Sequence, residues 1–479
     1  MPDFEPLHPL DLQQCQTVDD LVRSMKYCSF GARMLGEVAD TLTQWIQDRN
    51  EPLLIYDGKK DTALGKLLWE MVENKKWFKR LLLPEMYAQG MSNGNNILVV
   101  GDFSERHESG LYKEQDKSIF INEQGKAKHV QDGYFPDAIF ADPRFVLPAL
   151  YYALEQRLEG KSTTVTQFIR QLEKYDGVAQ EVYRGAQTLE AMANDPDCTV
   201  FLTLSGAMTV AKMGLIIGDL IDDGVVQSIT STGALMAHGL VESVGLKHYK
   251  YDPVHDDAVL AAQKLNRVSD TLEPETNLDK VEEVVELVAD SFSGDELISP
   301  RIFHYHLGKY LAEHYPQERG ILKSAYEKKI PVLVPAFVDS EIGNDIYLIN
   351  QKRIRELKKR IVMDLEQDTE ELIRLVTKAK RIGILTIGGG VPRNYTQNVC
   401  PLVELINLRL GLDLPEHKFA YGVRICPDKM WYGHLSGSTY SEGMSWRKMH
   451  PQMQFAEIHA DATLVLPFLV KMVEERTHR

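Results

Sequence analysis

The chain has 479 residues, 44% of them hydrophobic and 26% charged, with a formal net charge of −15 at pH 7. That length buries one large core or two, in the composition of an ordinary globular protein. The acidic balance argues against a binder of nucleic-acid backbone, which carries a basic patch; it suits a small cationic substrate drawn by the protein's field, and equally plain solubility.

No apolar run is long enough for a membrane span, and the opening Met-Pro-Asp-Phe-Glu-Pro-Leu-His lacks the basic and apolar segments of a secretory signal. Five cysteines (Cys15, Cys28, Cys198, Cys400 and Cys426) form no Cys-x-x-Cys pair. An odd count in so long a chain suggests reduced thiols and a cytoplasmic protein. No zinc-type spacing is present, so no metal is expected, and His304 and His306 read as packing histidines.

In chain order, Thr17 reads as the N-cap of a first helix, with Asp20 three positions on, and apolar residues at helical spacing predict a second over residues 30–46. Leu53-Leu54-Ile55-Tyr56 reads as a strand, with a turn at Asp57-Gly58 and a helix through Trp69. Residues 96–102 read as another strand, 104–125 as an exposed loop and 143–158 as a helix. Residues 163–192 echo residues 17–42, and each stretch precedes an apolar strand. A partial duplication and the natural repetitiveness of amphipathic helices both account for this.

Residues 197–208 form a buried-type strand running into the small-residue turn Ser205-Gly206-Ala207-Met208. A helix over 210–220 follows, then a strand over 225–229 ending in Thr230-Ser231-Thr232-Gly233-Ala234. This is a βαβ unit of a parallel sheet. Small turns of this kind let backbone approach a ligand, although neither is Gly-x-Gly-x-x-Gly, and tight packing alone would explain them. Residues 277–293 read as an acidic amphipathic helix and 299–315 as another. The apolar run 330–338 reads as a strand with Asp339, Glu341 and Asp345 beyond its end, where ligands bind in open α/β sheets. A long helix over 351–380 then delivers the strand Arg381-Ile382-Gly383-Ile384-Leu385-Thr386-Ile387, ending in Gly388-Gly389-Gly390. Three glycines strip side chains from a ligand-facing backbone. Residues 400–412 read as helix, 419–425 as strand and 462–473 as the closing helix.

Residues 433–448 run as a glycine- and hydroxyl-rich loop to Ser445-Trp446-Arg447-Lys448. A lysine nucleophile needs a free amine, which burial or a neighbouring cation supplies. Arg447 is such a cation in sequence and Trp446 an apolar wall. If residues 441–448 are helical, Glu442 and Trp446 share one face and Ser445 and Lys448 another, so Glu442 and Lys448 do not face each other directly. The plain alternative is a solvated surface lysine.

Glu442-Gly443-Met444-Ser445-Trp446-Arg447-Lys448 resembles the deoxyhypusine synthase signature Glu-Ala-(Val or Ile)-Ser-Trp-Gly-Lys. Ala460-Asp461-Ala462-Thr463-Leu464-Val465-Leu466-Pro467 follows in the family's register, and Gly388-Gly389-Gly390-Val391 is similar to its Gly-Gly-Gly-Val. His248-Tyr249-Lys250-Tyr251-Asp252, Leu265-Asn266-Arg267-Val268 and Leu435-Ser436-Gly437 resemble the bacterial branch. The resemblance covers roughly residues 1–50 and 161–479. It implies an α/β fold, a Rossmann-like, mostly parallel sheet with helices on both faces. Residues 1–50 would be an N-terminal helical arm, 51–160 an insertion or partial extra α/β unit of unknown role, and 161–479 the NAD-binding catalytic domain.

The resemblance further implies NAD as cofactor and Lys448 as the catalytic residue that carries the substrate as an imine. Glu442 and Asp345 would hold cationic nitrogens, Trp446 would pack the aliphatic chain, and Asn344, Asn394 and His434 would complete the substrate contacts. NAD would lie against Ser205, Gly206, Ala207, Ser231, Thr232, Gly233, Gly389, Asp428 and Ala462, with Asp339 and Asp461 on its sugars. Departures fall on the amine-reading positions. The eukaryotic pattern has aspartate at Leu435 and Asn344, histidine at Asn394, a glutamate pair near Met236-Ala237, and glycine at Arg447. The implied reaction is aminobutyl transfer from a spermidine-like polyamine to a small amine, as in a homospermidine synthase. A lysine of a translation factor is the alternative acceptor, and a catalytically degenerate scaffold the alternative from another class. A homo-oligomer is implied, a tetramer with sites between subunits, with neither nucleic acid nor membrane as partner.

Overall fold

The computed structural model describes residues 4–56, 58–84, 95–101, 117–125 and 137–477. They build two parallel sheets flanked by helices, the α/β class expected. The first sheet contains β1 (Leu53–Tyr56), β2 (Leu81–Leu82), β3 (Asn96–Val100), β4 (Lys117–Asn122) and β5 (Ala138–Phe140), in the order β2-β1-β3-β4-β5 with every pair parallel.

The second sheet starts with β6 (Cys198–Leu204) and β7 (Ser228–Ser231). Next come β8 (Tyr249–Lys250), β9 (Leu265–Val268) and β10 (Thr271–Pro274), a small antiparallel sheet of their own. Then follow β11 (Leu297–Ile298), β12 (Val332–Leu333) and β13 (Val362–Met363), of which β11 and β13 pair. The chain ends with β14 (Arg381–Ile387), β15 (Phe419–Ile425) and β16 (Met449–Ile458). The six-stranded order is β12-β7-β6-β14-β15-β16, all parallel.

β6 and β14 are buried along nearly their whole length, as central parallel strands covered on both faces must be. Their register pairs Leu204 with Ile387, so Ser205 and Gly388 emerge side by side. From β6 the chain crosses first to β7 and later back to β14 on the other side. That reversal makes the carboxyl ends of β6 and β14 a topological switch point, where open α/β sheets leave a crevice.

Two helix pairs precede the two sheets. Val18–Met25 and Phe30–Gln47 lead to β1, while Val165–Gln171 and Val178–Asn194 lead to β6. Thr17 and Thr164 each form a capping box, with Asp20 and Gln167 respectively. A helix follows the last strand of each sheet: Pro143–Glu159, capped by Asp142, and Ala462–Arg476, capped by Asp461.

Several sequence expectations shift. The helix expected over 210–220 is Gly214–Asp222, and the strand expected over 225–229 is Ser228–Ser231. The strand expected over 330–338 shrinks to Val332–Leu333. The long helix over 351–380 breaks: Glu341–Arg355 ends, Leu357 turns left-handed at φ 59°, and Leu365–Lys378 restarts on the Asp364 cap. Arg353 enforces the break by donating to the carbonyls of Lys359, Phe292 and Ser293. The expected loop 104–125 holds strand β4, while its residues 104–116, and Asp57 of the first turn, lie outside the described residues. β16 went unread because Pro451 and polar residues interrupt its alternation. His304 is buried, its Nδ1 2.7 Å from the Pro300 carbonyl, a packing role as expected. Among the described residues no helix is long and apolar enough to cross a membrane.

Candidate active site

At the switch point lies a cavity of about 400 Å³, lined among others by Ser205, Thr232, Gly233, Asp339, Gly389 and Asp428. Its floor is backbone. Gly388 holds φ +77°, and a Cβ there would lie 2.2 Å from the Ser205 hydroxyl oxygen. That hydroxyl accepts a hydrogen bond from the Gly389 amide at 2.8 Å. A Cβ on Gly389 would come within 2.7 Å of Ser436 Cα, part of the loop that closes the cavity. Any side chain at these two positions therefore fills the cradle or moves its wall. On the opposite side, Gly233 packs so closely that a Cβ would sit 2.5 Å from that of Ser340, the N-cap of Glu341–Arg355.

Arg424, buried in β15, pins the loop by donating to the Ser436 carbonyl at 2.6 Å while pairing with Glu457 at 3.0 Å. Asp428 accepts the Ser436 hydroxyl proton and lies 3.5 Å from His434 Nδ1.

A second cleft, of about 340 Å³, meets the first at Gly390, which lines both. Lys448, Trp446, Glu442, Asn394 and Arg393 line it. The short helix Tyr440–Ser445, capped by Thr439, ends in a Schellman turn. The Arg447 amide donates to the Met444 carbonyl at 2.9 Å and the Lys448 amide to that of Gly443 at 3.0 Å. This turn needs a left-handed residue before the lysine, and Arg447 adopts φ +58° there. A glycine at that place, as in the signature, is a conformational requirement; arginine bears about 1 kcal/mol of strain instead.

Lys448 is half-buried, and its Nζ donates to Asn394 Oδ1 at 2.8 Å, 5.6 Å from the Trp446 ring centroid. Burial lowers its pKa first and the Arg393 cation second, while Cys400 and Glu442 act weakly the other way. Arg447 was the expected cation. Its side chain instead turns to Glu404 at 2.5 Å, and Arg393 supplies the field.

The structure thus brings Lys448, Glu442, Trp446 and Asn394 into one cleft, and Ser205, Thr232, Gly233, Asp339, Gly389 and Asp428 into the adjoining cavity. His434 joins the cavity side through Asp428. Gly206, Ala207 and Ser231 belong to the flanking turns without lining it, Ser231 buried with its hydroxyl donating to the Thr232 carbonyl. Asn344 and Asp345 lie on Glu341–Arg355 and line neither cleft; burial, then Glu282 and Glu341, push Asp345 up to about 7. Asp461 and Ala462 stand apart as well. The Asp461 carboxylate is taken up by the Thr463 amide and hydroxyl and the Gly31 amide, each at 2.9 Å.

Sequence reasoning missed Arg393, Gln397, Ser438 and Thr439, which also line the lysine cleft. Arg393, Asn394, Gln397 and Asn398, spaced i, i+1, i+4, i+5 behind the triple glycine, were the available signal: a polar stripe on a helix entering an apolar sheet.

Residues 167–473 match the family model described as deoxyhypusine synthase. "Probable deoxyhypusine synthase 2" of Methanosarcina acetivorans is 32% identical over 312 residues, 64% of this chain and 87% of that protein. A "Deoxyhypusine synthase-like protein" of Chlorobaculum parvum is 30% identical over 295 residues, 61% of this chain and 81% of that one. The protein of that same name from Elusimicrobium minutum is 29% identical over 309 residues, 64% and 80%.

Proposed function

Since the chain belongs to the deoxyhypusine synthase family, we propose that it is an NAD-dependent aminobutyl transferase working through an imine on Lys448. What supports this above all is the Lys448 amine, drawn partly out of water and hydrogen-bonded to a neutral carboxamide in a cleft that opens on a glycine-floored cavity.

The cavity suits a dinucleotide. Its floor is free of side chains at Gly388 and Gly389, Ser205 and Thr232 offer hydroxyls, and Asp339 and Asp428 offer carboxylates to ribose hydroxyls. Held by these residues, NAD would supply the hydride acceptor and donor that the transfer needs.

The chain's own residues do the rest. Asn394 accepts a hydrogen bond from the Lys448 amine without offering negative charge, so it orients the lone pair and leaves the amine free of a counter-ion. Arg393 disfavours the ammonium form. Lys448 attacks the imine carbon of the oxidised polyamine, and a diamine departs. Glu442, at the cleft wall, holds an ammonium of the substrate, and the exposed Trp446 face covers its methylenes. An acceptor amine then displaces Lys448.

The acceptor is a small amine, as in a homospermidine synthase. Leu435 and Asn394, both lining the lysine cleft, replace charged amine readers of the eukaryotic pattern, which acts on a translation-factor lysine. Leu435 and Trp446 of the cleft lining are exposed, as are Met430, Trp431 and Tyr432 in the segment just before Leu435. A second copy covers these residues in the assembly we envisage, a homo-oligomer of the tetrameric kind.

The test is to incubate the protein with NAD and spermidine, reduce with borohydride and map the modified peptide. A butylamine adduct on Lys448, discharged by putrescine or another small amine, is expected. An adduct discharged only by a protein lysine would mark a deoxyhypusine synthase proper, and no adduct with any polyamine would leave a scaffold.

A further inference from the structure

Arg393 precedes the residue that receives the Lys448 amine and lines the same cleft, yet it is only 4% exposed. Its Nε donates to Gln397 Oε1 at 3.0 Å, Nη2 reaches Ser438 Oγ at 3.5 Å, and the guanidinium lies 5.6 Å from the Tyr440 ring centroid. Nη1 is buried without a hydrogen-bond partner. Among the described residues no carboxylate comes within the 4.0 Å of an ion pair with it. Glu457, whose charge acts on it, is already held by Arg424 at 3.0 Å.

Other buried arginines also leave a nitrogen unpaired, Arg157 at Nη2 and Arg424 at Nε, but each of those is paired with a carboxylate, Asp19 and Glu457 respectively. Arg33 pairs with Asp270 at 3.0 Å and spends its donors on the Cys28 and Asp270 carbonyls, and Arg353 saturates three carbonyls. A buried guanidinium with a spare donor and no counter-ion is costly, and its planar fork fits a carboxylate. We propose that Arg393 receives a carboxylate carried by the amine that enters the Lys448 cleft, so that the acceptor is a diamino acid rather than a bare diamine. Gln397, Asn398, Ser438 and Thr439 supply the neutral polar lining such a zwitterion needs.

The chemistry rests on the transfer reading above. The side-chain amine of the diamino acid adds to the carbon of the Lys448 imine, and its proton passes to the lysine nitrogen. The bond from that carbon to lysine breaks, and a new carbon–nitrogen double bond joins donor fragment to acceptor, with no change in oxidation state.

Calorimetry with the NAD-loaded protein compares matched pairs, ornithine against putrescine and lysine against cadaverine. The diamino acids bind about tenfold tighter or more; the preference disappears in Arg393→Gln and persists in Arg393→Lys, which also controls for folding. Equal or tighter binding of the diamines, no binding of either, or a preference that survives Arg393→Gln overturns the proposal. An adduct on Lys448 that putrescine discharges as fast as ornithine keeps the transferase and removes the carboxylate site. A diamino-acid preference with no adduct does the reverse.

A second inference rests on the two sheets alone. Each begins with a helix pair behind a threonine capping box, and each places its first strand between the second strand and a run of later strands, with the short β12 of the second sheet lying beyond β7. Each ends in a matching segment, Ala141-Asp142-Pro143-Arg144-Phe145-Val146-Leu147-Pro148 and Ala460-Asp461-Ala462-Thr463-Leu464-Val465-Leu466-Pro467, identical at five of eight positions. Contacts between the halves are reciprocal. Asp142 of the first accepts the Val178 amide of the second at 3.1 Å, and Asp461 of the second accepts the Gly31 amide of the first at 2.9 Å. Such i-to-j and j-to-i exchange defines an isologous interface.

We infer that residues 17–160 and 164–476 are two copies of one unit paired about a pseudo-two-fold axis, the first serving the second as a built-in partner. Residues 123–137 of the first hold no tryptophan, so the Ser-Trp-Arg-Lys run of the second is not repeated there. Cutting the folded chain at a protease site placed in the exposed stretch 160–162 tests this. The two pieces of the cleaved chain co-elute, and Asp142→Ala, which removes the Val178 contact, and Asp461→Ala, which removes the Gly31 contact, each lower the denaturant concentration at which they part. Pieces that part under native conditions, or an association indifferent to both substitutions, contradict it.

Discussion

The Lys448 amine and the Asn394 carboxamide oxygen stand 2.8 Å apart, at a position where the eukaryotic pattern that the sequence resembles has a histidine. A neutral acceptor fixes the amine without holding its proton. Asn394→Asp places an anion there instead and raises the lysine pKa. The rate of Lys448 adduct formation at pH 7 falls by about tenfold or more, and its rise with pH moves to higher pH. A pH series of borohydride trapping measures both.

Lys448 also works against the fold. Its native pKa is depressed by burial and Arg393, so between that value and the ordinary 10.5 the unfolded chain binds the extra proton. The destabilisation is therefore full below the depressed native pKa, shrinks as pH climbs through the window above it, and is gone above about 10.5. Lys448→Met abolishes the adduct yet leaves Tm at pH 7 equal to or above that of the parent, an advantage that fades toward pH 10.5. Thermal unfolding at several pH values checks the sign.

Gly389 has no room for a methyl group, because its Cβ would press on the Ser436 backbone, which Arg424 and Asp428 hold in place. Gly389→Ala weakens NAD binding by about tenfold or more, with a stability loss of the size typical of overpacking, about 1–3 kcal/mol. A fluorescence titration with NAD reads the first effect and calorimetric unfolding the second.

Arg447→Gly relieves the left-handed strain at the Schellman turn and gives up an ion pair with Glu404 in which Arg447 is 59% exposed. Such pairs contribute little. The variant is more stable by about 0.5–1 kcal/mol, and the pH profile of adduct formation stays where it was, because this cation does not face the amine. Denaturant unfolding and the same trapping series decide it.

Much of this was legible in the chain itself, for local reasons. β6 and β14 are apolar runs ending in small residues, so strand, turn and crevice could be read together. Thr17 announced its capping box. The cation beside Lys448 was not legible: sequence proximity favoured Arg447, but the Schellman turn directs that side chain outward, and Arg393 arrives from a helix over fifty positions away. Asp461 sat in the right motif, yet its oxygens serve the ends of two helices, a partnership between residues 31 and 461 that no local pattern encodes. The helix break near Leu357 was hidden for the same reason, since Arg353 finds its carbonyls sixty residues upstream.

The most direct test is peptide mapping after borohydride reduction of the protein with NAD and spermidine, for wild type and Lys448→Arg side by side. A butylamine mass confined to the peptide bearing residue 448, absent in the variant and strengthening with pH, is the result this account predicts. Label spread over other lysines, or product formed at full rate by the variant, would contradict it.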